Sequence, residues 1–225
     1  MKRRVEPEWL DELPAGDNRA VVSRRDLRRV NAWMGHAQLL DRGLKKFGGR
    51  PARIVELGAG DGTFMLAVAR RAAARWPGVE TILVDQQDLV SEQTRDEFAR
   101  LGWTARGATA DVFDWLEPGE ACDITVANLF LHHFPEEPLR TLLRRAAGRT
   151  GMFAACEPRR SGFPLLFSRL LWLIGCNAVT RHDAVVSVRA GFSGHELSAL
   201  WPSDGRWRLE ERAAGLFSHL FLATR

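Results

Sequence analysis

"VELGAGDGTF" spans residues 55–64 and decides how the surrounding chain folds. Its apolar opening predicts a short buried strand, and the apolar spacing after Thr63 predicts a helix. Between them, Gly58, Gly60 and Gly62 predict a tight loop whose backbone can approach a ligand closely, since glycine has no side chain to block it. A strand, a glycine-rich loop and a helix in this order are typical of a ligand site at the carboxyl end of a parallel sheet.

Strand and helix patterns alternate through most of the chain around this loop. Predicted strands cover residues 52–58, 80–85, 103–111, the first part of 122–134, 151–158, 207–214 and 216–225, and predicted helices cover 61–76, 91–102, 135–149 and 193–202. Several of these strands are continuously apolar, which is typical of parallel strands buried on both faces. The chain is therefore predicted to have an α/β fold, with a doubly wound, mostly parallel, seven-stranded sheet of the Rossmann-like kind.

The chain divides into two predicted regions. Residues 1–50 form a helical N-terminal extension, because apolar residues recur there at three- and four-residue steps, and Ser23 is a suitable N-cap. Residues 51–225 form the α/β domain, interrupted by an apolar insertion at 158–192 in which the alternation lapses. A Ser-x-x-Glu capping box at 193–196 begins the next helix. We expect the extension and the insertion to act as lids.

Composition is that of an ordinary globular protein. The 225 residues are 45% hydrophobic and 27% charged, and the formal net charge of +4 rests mainly on dispersed arginines. No basic run interleaved with aromatic residues is present, so we expect no nucleic-acid partner. The three cysteines form no Cys-x-x-Cys pair, which predicts neither disulfides nor a cysteine-bound metal and fits a cytoplasmic location. The apolar run at 163–175 is too short for a transmembrane segment.

The ligand of the glycine loop is indicated by the residues around it. A dinucleotide-binding G-x-G-x-x-G loop would need a third glycine where Thr63 stands, and a phosphate-binding G-x-x-x-x-G-K loop would need a lysine that the stretch lacks. Glu56 and Asp61 place carboxylates at the loop, where they would repel a pyrophosphate and attract a cation. A cationic ligand without phosphate therefore fits the loop best.

Three further segments extend this pattern along the chain: Asp85 ends the second predicted strand, Asp111 follows the third, and ANLFLHHF at 127–134 ends the fourth. With the glycine loop in register, the chain resembles the class I S-adenosylmethionine-dependent methyltransferases across residues 52–225. That family places one acid at the second strand's tip for the ribose hydroxyls and another after the third strand for the adenine amino group. The resemblance implies S-adenosyl-L-methionine as the cofactor, a sulfonium with an α-ammonium and no phosphate.

The resemblance also implies which residues hold the cofactor. They are Glu56, Gly58, Ala59, Gly60, Asp61, Asp85, Gln86, Asp111, Val112, Asn128 and Leu129. Asp61 and Asp111 each retain an alternative role as the N-cap of a helix, and Asn128 has the alternative of holding its own loop. No metal is predicted, because the acids do not form a cluster like a catechol-type magnesium site.

The acceptor site is predicted at the end of the fourth strand. His132 and His133 are neighbours on an extended segment, so at most one of them faces the acceptor, and we prefer His133. There it would act as a catalytic base that takes a proton from a hydroxyl nucleophile near neutral pH. Its alternative role is packing against the cofactor. His182, Asp183 and His195 are alternative bases.

The predicted function is O-methylation of a small aromatic or lipid-like hydroxyl compound, with this small-molecule acceptor as the partner. The apolar insertion favours such an acceptor, and the [DN]-P-P-[YF] tetrad of adenine-N6 and glutamine methyltransferases is absent at Asn128. The alternatives are an RNA or protein methyltransferase, a cofactor-binding protein without transfer activity, and a dehydrogenase. Residues 163–174 are open to four interpretations: a lid, the surface of a homodimer, a membrane-touching helix, or a helix that covers the sheet edge.

Overall fold

A computed structural model describes residues 1–14, 16–117 and 121–225. Its strands are β1 Arg53–Leu57, β2 Glu80–Asp85, β3 Thr104–Thr109, β4 Cys122–Asn128, β5 Thr150–Pro158, β6 Arg208–Ala214 and β7 Ser218–Thr224. Within the described ranges these strands form one seven-stranded sheet in the order β3-β2-β1-β4-β5-β7-β6. Strands β1 to β5 are parallel, and β7 is antiparallel to both β5 and β6. The predicted α/β, doubly wound and mostly parallel fold is therefore confirmed.

Helices pack on this sheet and around its edge. They are α1 Trp9–Glu12, α2 Asn18–Met34, α3 His36–Leu44, α4 Thr63–Ala72, α5 Glu92–Arg100, α6 Val112–Trp115, α7 Glu136–Arg149, α8 Gly162–Arg169, α9 Ala178–Ala190 and α10 Glu196–Leu200, with 3-10 turns at Leu131–His133 and Leu171–Ile174. Among the helices that the structure describes, none is long and apolar enough to cross a lipid bilayer.

Alternate residues of each parallel strand face opposite apolar layers, which explains why these strands are apolar throughout. Ile54 belongs to a buried cluster with Leu40 of α3 and Met65 of α4. Its neighbour Val55 belongs to the cluster on the other face, with Leu142 of α7. Burial on both faces fixes the position of β1 in the sheet, and so directs the glycine loop that follows it to the carboxyl edge.

The N-terminal helices begin and end at residues that the sequence pattern only partly identified. Helix α2 begins after Asp17, whose side chain accepts a hydrogen bond from the Arg19 N–H at 2.8 Å. The prediction that Ser23 is the N-cap is wrong, because Ser23 is buried inside α2 with its hydroxyl 2.9 Å from the Thr180 hydroxyl of α9. Gly35, with a φ of 69°, separates α2 from α3, since a left-handed residue ends a helix.

The insertion leaves and rejoins the α/β domain at one point. The Phe192 N–H donates to the Pro158 carbonyl at 2.9 Å, and the Arg160 N–H donates to the Phe192 carbonyl at 2.9 Å. Gly191 permits this close approach, because a Cβ there would lie 2.2 Å from the Pro158 oxygen. The two ends of the insertion therefore contact each other.

The predicted capping box at the start of α10 is only half formed. The Ser193 N–H donates to Glu196 Oε2 at 3.1 Å, as a capping box requires. The Ser193 hydroxyl, however, accepts a hydrogen bond from Arg160 at 2.9 Å, and Arg160 also pairs with Glu196. Because the buried guanidinium of Arg160 engages both side chains, α10 begins only at Glu196.

Candidate functional site

A cavity of about 240 Å³ opens between helices α1 and α2 and the carboxyl ends of β1, β2 and β4. Predicted cofactor residues on its walls are Glu56, Gly58, Ala59, Gly60, Asp61, Asp85, Asn128 and Leu129. The other lining residues are Leu10, Asp11, Arg24, Leu27, Arg28, Asn31, Thr63, Phe64, Gln87 and Leu89. The strand order reverses between β1 and β4, so the cavity lies where doubly wound sheets bind ligands.

The glycine loop borders this cavity with left-handed backbone. Gly58, Gly60 and Gly62 have φ values of 68°, 54° and 74°, a conformation that favours glycine. A Cβ at Gly58 would lie 2.1 Å from the Phe130 ring, and one at Gly62 would lie 2.7 Å from Leu83. A Cβ at Gly60 would meet no heavy atom within 4 Å. Gly58 and Gly62 therefore allow close packing, whereas Gly60 leaves open space on the cavity wall.

Buried oxygens without hydrogen-bond donors converge on the cavity. Within the described structure, Glu56 Oε2, Asn31 Oδ1 and Gln87 Oε1 are buried and accept no hydrogen bond. Burial, together with the charges of Asp61 and Asp85, raises the pKa of the Glu56 carboxyl well above its usual range. An unsatisfied buried acceptor costs about 1–3 kcal/mol. A ligand with ammonium, amino and hydroxyl donors, such as S-adenosyl-L-methionine, would satisfy these oxygens, so the donor set fits the predicted cofactor.

Asp85 is oriented at the end of β2 by the loops on either side of it. Its Oδ2 accepts a hydrogen bond from the Gly60 N–H at 2.8 Å, and its Oδ1 accepts one from the Gln87 N–H at 3.0 Å. These bonds fix the carboxylate plane, and each oxygen retains a second lone pair. The carboxylate can therefore accept further hydrogen bonds from two neighbouring hydroxyl groups.

Asp61 connects the glycine loop to the N-terminal region. Its Oδ1 accepts hydrogen bonds from the Thr63 N–H at 3.1 Å and from the Thr63 hydroxyl at 2.6 Å, at the first residue of α4. Its Oδ2 lies 2.6 Å from Nη1 of Arg28, a residue of α2. The alternative role of Asp61 as the N-cap is wrong, because Gly62 occupies that position and Asp61 precedes it; the contact of Asp61 with the cofactor stays a prediction.

Three predicted cofactor residues lie outside the cavity lining. Asp111 caps α6 by accepting a hydrogen bond from the Phe113 N–H at 2.7 Å, and its other oxygen accepts one from Gln86 Nε2 at 3.1 Å. Val112 is buried in the apolar layer that contains Val55. The alternative role of Asp111 as an N-cap is thus present, and contacts of these three residues with the cofactor stay predictions.

The end of β4 is held by a buried histidine and has a strained backbone. His36 Nδ1 donates to Asn128 Oδ1 at 2.9 Å, and His36 Nε2 accepts a hydrogen bond from the Ser218 hydroxyl at 2.8 Å. Burial lowers the pKa of His36 to about 4, so its ring is neutral at pH 7. Leu129 has a φ of 52°, and it is the only non-glycine residue of the described chain with a positive φ. Such strain is typical of functional sites.

His132 is a buried structural cation. Its Nδ1 lies 2.8 Å from Glu157 Oε2, and its Nε2 lies 3.2 Å from Glu8 Oε1. Burial by itself would lower the pKa of His132, but hydrogen bonds to the two carboxylates raise it to about 9. Glu157 also accepts hydrogen bonds from the backbone N–H groups of Phe130 and Leu131, at 3.0 and 2.9 Å. The N-terminal segment is therefore joined to β5 through an imidazolium.

His133 lies closer to the surface, next to the cavity-lining residue Asp11, and is not itself one of the described lining residues. Its Nδ1 is 3.2 Å from Asp11 Oδ2, and its side chain is 25% exposed. Asp11 belongs to α1 and lines the cavity. Of the two neighbouring histidines, His133 is thus the one with a carboxylate partner at the cavity wall and access to solvent.

The alternative bases have other positions. His182 stacks on Trp9 with ring centroids 3.8 Å apart. Asp183 accepts hydrogen bonds from the N–H groups of Trp9 and Leu10, at 2.9 and 3.0 Å. His182 and Asp183 therefore anchor α1 to α9. His195 precedes the first residue of α10 and is exposed.

Glu8, His132 and His133 each have one possible metal-ligand atom, and these three atoms lie within 4.8 Å of one another, close enough to share a metal ion. Both ring nitrogens of His132 already face carboxylates, and a protonated imidazole has no lone pair for a metal. In this arrangement the cluster is an ion-pair network, in which one N–H of the His132 imidazolium donates to Glu157 and the other to Glu8.

Sequence reasoning missed the N-terminal contribution to the site. Leu10, Asp11, Arg24 and Leu27 reach the cavity only because α1 and α2 pack on α9, a contact with no local sequence signal. Glu157 could have been found, because it is a carboxylate at the carboxyl end of a predicted strand, as Asp85 is.

Comparison with known proteins finds a domain match and a shared fold. Residues 54–150 match a family model described as a methyltransferase domain. An O-methyltransferase family protein from Burkholderia thailandensis is 19% identical with a TM-score of 0.63, and the alignment covers 94% of this chain and 61% of that one. The plantazolicin methyltransferase BpumL, solved in complex with SAH, is 12% identical with a TM-score of 0.65 over 93% of this chain and 91% of that one. No curated protein matches the sequence.

A third similar structure is that of the mitomycin 7-O-methyltransferase MmcR, 17% identical with a TM-score of 0.62 over 96% of this chain and 60% of that one. This chain thus spans about three fifths of the length of two of these relatives. Residues 54–150 thus match a methyltransferase domain, and the chain has the fold of these methyltransferases, in line with the resemblance seen in the sequence. BpumL was solved with SAH, and S-adenosyl-L-methionine as the cofactor of this chain belongs to the proposal below.

Proposed function

We propose that this methyltransferase transfers a methyl group to the hydroxyl oxygen of a small aromatic or lipid-like compound. The observation that carries the proposal is the Asp11–His133 pair beside the cavity, because it supplies a base where a hydroxyl would lose its proton. Two of the structural relatives are described as O-methyltransferases, which supports oxygen as the acceptor atom.

The cavity residues would hold the cofactor by hydrogen bonds and charge. Asp85 would accept hydrogen bonds from the ribose hydroxyls, Glu56 would face the positive charge of the amino acid part, and Asn128 would contact it beside the strained Leu129. The bound cofactor supplies a methyl group on a sulfonium, which loses its charge on transfer. The protein's contribution is to hold donor and acceptor in line and to keep water away.

An apolar wall beside His133 supports an aromatic or lipid-like acceptor. The rings of Phe130 and Phe134 lie 5.1 Å apart, and that of Phe113 lies 5.6 Å from Phe134. His133 is 6.5 Å from the Phe130 ring, so the base lies against this cluster. An apolar acceptor would exclude water from the reacting atoms there.

His133 would act as the catalytic base. It would take the hydroxyl proton as the acceptor oxygen forms its bond to the methyl carbon and the sulfur–carbon bond breaks. Asp11 would stabilise the resulting imidazolium and orient the ring. The products are the methyl ether and S-adenosylhomocysteine, with the proton on His133.

Calorimetry with S-adenosylhomocysteine tests the cofactor site. We expect Asp85→Ala to weaken binding by roughly 10- to 100-fold, since one charge-assisted contact contributes about 1.5–3 kcal/mol. Asp88→Ala is the matched control, because Asp88 is an exposed aspartate three residues further along the same loop. Equal affinities for wild type and Asp85→Ala would contradict the assignment.

Turnover of S-adenosyl-L-methionine with a panel of phenols and long-chain hydroxyl compounds tests the reaction. We expect His133→Gln to lower kcat by roughly 100-fold or more without changing S-adenosylhomocysteine affinity. His195→Gln, at an exposed histidine, is the control. Tight cofactor binding without turnover would indicate a binding protein, and strongly salt-dependent RNA binding with RNA methylation would indicate the RNA alternative.

We propose a cytoplasmic location for this protein. Cys122, Cys156 and Cys176 are free thiols, which supports a reducing compartment. Burial raises the pKa of the Cys156 thiol far above its usual range, so this residue at the end of β5 is unreactive and serves packing rather than methyl transfer.

A further inference from the structure

The insertion exposes an unusual amount of apolar surface. We define as the apolar face the exposed residues Phe163, Leu166, Phe167, Trp172, Leu173 and Ile174, from α8 and the 3-10 turn that follows it. The last three are 57%, 62% and 53% exposed. Single exposed apolar residues are ordinary, but a contiguous patch of this kind marks an interaction surface.

The apolar face continues onto two neighbouring parts of the molecule. The Phe217 ring lies 5.7 Å from Phe163 and 5.3 Å from Phe167, so the turn before β7 packs against α8. Trp33, which is 69% exposed on α2, lies 5.3 Å from the same Phe217 ring. The surface therefore extends from the insertion to the N-terminal region.

The chain segment that forms the apolar face has basic residues and no acidic ones. Between Glu157 and Asp183 the sequence has no acidic residue. Arg169 at the end of α8 and Arg181 in the first turn of α9 are exposed, and no carboxylate of the described residues forms an ion pair with them. Apolar and aromatic side chains with arginines at their border are typical of surfaces that enter the interfacial region of a membrane.

Helix α2 connects the candidate site to the surface that continues the apolar face. It contributes Leu27 and Asn31 to the cavity wall, and its Trp33 contacts Phe217. Helix α8 follows the carboxyl end of β5, at the edge of the sheet that holds the cavity.

We propose that the apolar face docks this enzyme on anionic lipid bilayers, with Trp172, Leu173 and Ile174 in the interfacial region and Arg169 and Arg181 against the headgroups. A second copy of the chain fits less well, because a two-fold interface would place the same acid-free, arginine-bordered surface against itself. The inference goes beyond the proposed function and does not depend on which acceptor is methylated.

Vesicle flotation with purified full-length protein tests the proposal. We expect binding to phosphatidylcholine vesicles that contain about 30% phosphatidylglycerol, at least roughly tenfold weaker binding to pure phosphatidylcholine, and release at high salt. Equal binding to both vesicle types, or no binding to either, would overturn the proposal.

Two pairs of substitutions separate the apolar and the charged contributions. Trp172→Ser with Leu173→Ser removes buried apolar area and is expected to weaken vesicle binding by roughly 100-fold. Arg169→Glu with Arg181→Glu is expected to weaken binding to anionic vesicles by roughly 25-fold, about fivefold per arginine. Leu209→Ser is the matched control, since Leu209 is an exposed leucine on β6 at the far edge of the sheet.

Calorimetry with S-adenosylhomocysteine on each variant checks folding and the cofactor site independently, and we expect unchanged affinity. Loss of vesicle binding in the control to the same extent as in the double variants would contradict the proposal. A second result would also contradict the proposal: light scattering shows that wild type is a dimer and the Trp172→Ser, Leu173→Ser variant a monomer, and wild type does not bind vesicles. That result would assign the apolar face to a second copy of the chain.

Discussion

His36 and His132 are both buried and both fasten the N-terminal region to the carboxyl edge of the sheet, yet they carry different charges. His36 lies between the amide oxygen of Asn128 and the hydroxyl of Ser218, and burial lowers its pKa to about 4. His132 lies between the carboxylates of Glu8 and Glu157, which outweigh burial and raise its pKa to about 9.

The difference shows that the partner, rather than burial, decides the protonation state of a histidine. Neutral partners cannot repay the desolvation of an imidazolium, whereas two carboxylates can. At pH 7 one contact is therefore a neutral hydrogen-bond relay and the other an ion-pair network. The two contacts should respond differently to substitution and to pH.

Glu157→Gln should have the largest effect on stability. It removes one carboxylate from the buried imidazolium and leaves Glu8 as the remaining partner, so we expect a loss of about 3–5 kcal/mol in the free energy of unfolding. Urea denaturation at pH 7 measures it. Glu210→Gln at the sheet edge is the control, expected to cost less than about 1 kcal/mol. Similar losses in the two variants would contradict an ion-pair network at His132.

Raising the pH should weaken the His132 contact. Because its folded pKa is raised to about 9, its contribution is complete below the unfolded pKa of about 6.5 and is lost as the pH rises through 9. We expect wild type to lose roughly 3 kcal/mol over this window relative to His132→Gln. Parallel stability curves for the two proteins between pH 6.5 and 9.5 would show that His132 is neutral in the fold.

Lowering the pH should weaken the His36 contact instead. Its folded pKa is depressed to about 4, so the unfolded chain binds a proton that the native ring excludes, and stability falls as the pH drops from about 6.5 towards 4. We compare the free energies of unfolding of wild type and His36→Gln. The difference between them should shift by about 2 kcal/mol against wild type between pH 7 and pH 5. Thermal unfolding of both proteins across this range measures it, and a pH-independent difference would mean that His36 titrates normally.

Arg28→Ala should have the smallest effect on stability. Arg28 is half exposed, so loss of its ion pair with Asp61 should change the free energy of unfolding by less than about 1 kcal/mol. Chemical denaturation measures this value, with Arg42→Ala on α3 as the control. A cost as large as that of the histidine contacts would mean that the surface pair, and not the buried network, holds α2 over the cavity.

Local sequence patterns predicted the sheet because its strands repeat one simple signal. Ile54 and Val55 are both apolar although they face opposite sides of the sheet, and Asp85 is the last residue of its strand, so strand and site appear together in the sequence. The N-terminal contacts have no such signal. Glu8 meets His132 across the molecule, and Asp183 meets the start of α1, through packing that no local spacing encodes.

The helix ends show the same division. Gly35 interrupts a single apolar stripe that predicts one continuous helix, and Asp17 supplies a cap that Ser23 was expected to provide. Only the choice of His133 over His132 anticipated a difference in surroundings, and its catalytic role stays a prediction until turnover is measured.

The insertion begins at Pro158 and ends at Phe192, and its two ends hydrogen-bond to each other. A segment with touching ends can be exchanged for another of different length with little change in the entropy of closing the loop. Recombinant chimeras could therefore carry a foreign segment between these two residues while keeping the sheet and the cofactor loop. In such hybrids, acceptor choice and the proposed membrane affinity would be expected to transfer together with the exchanged segment.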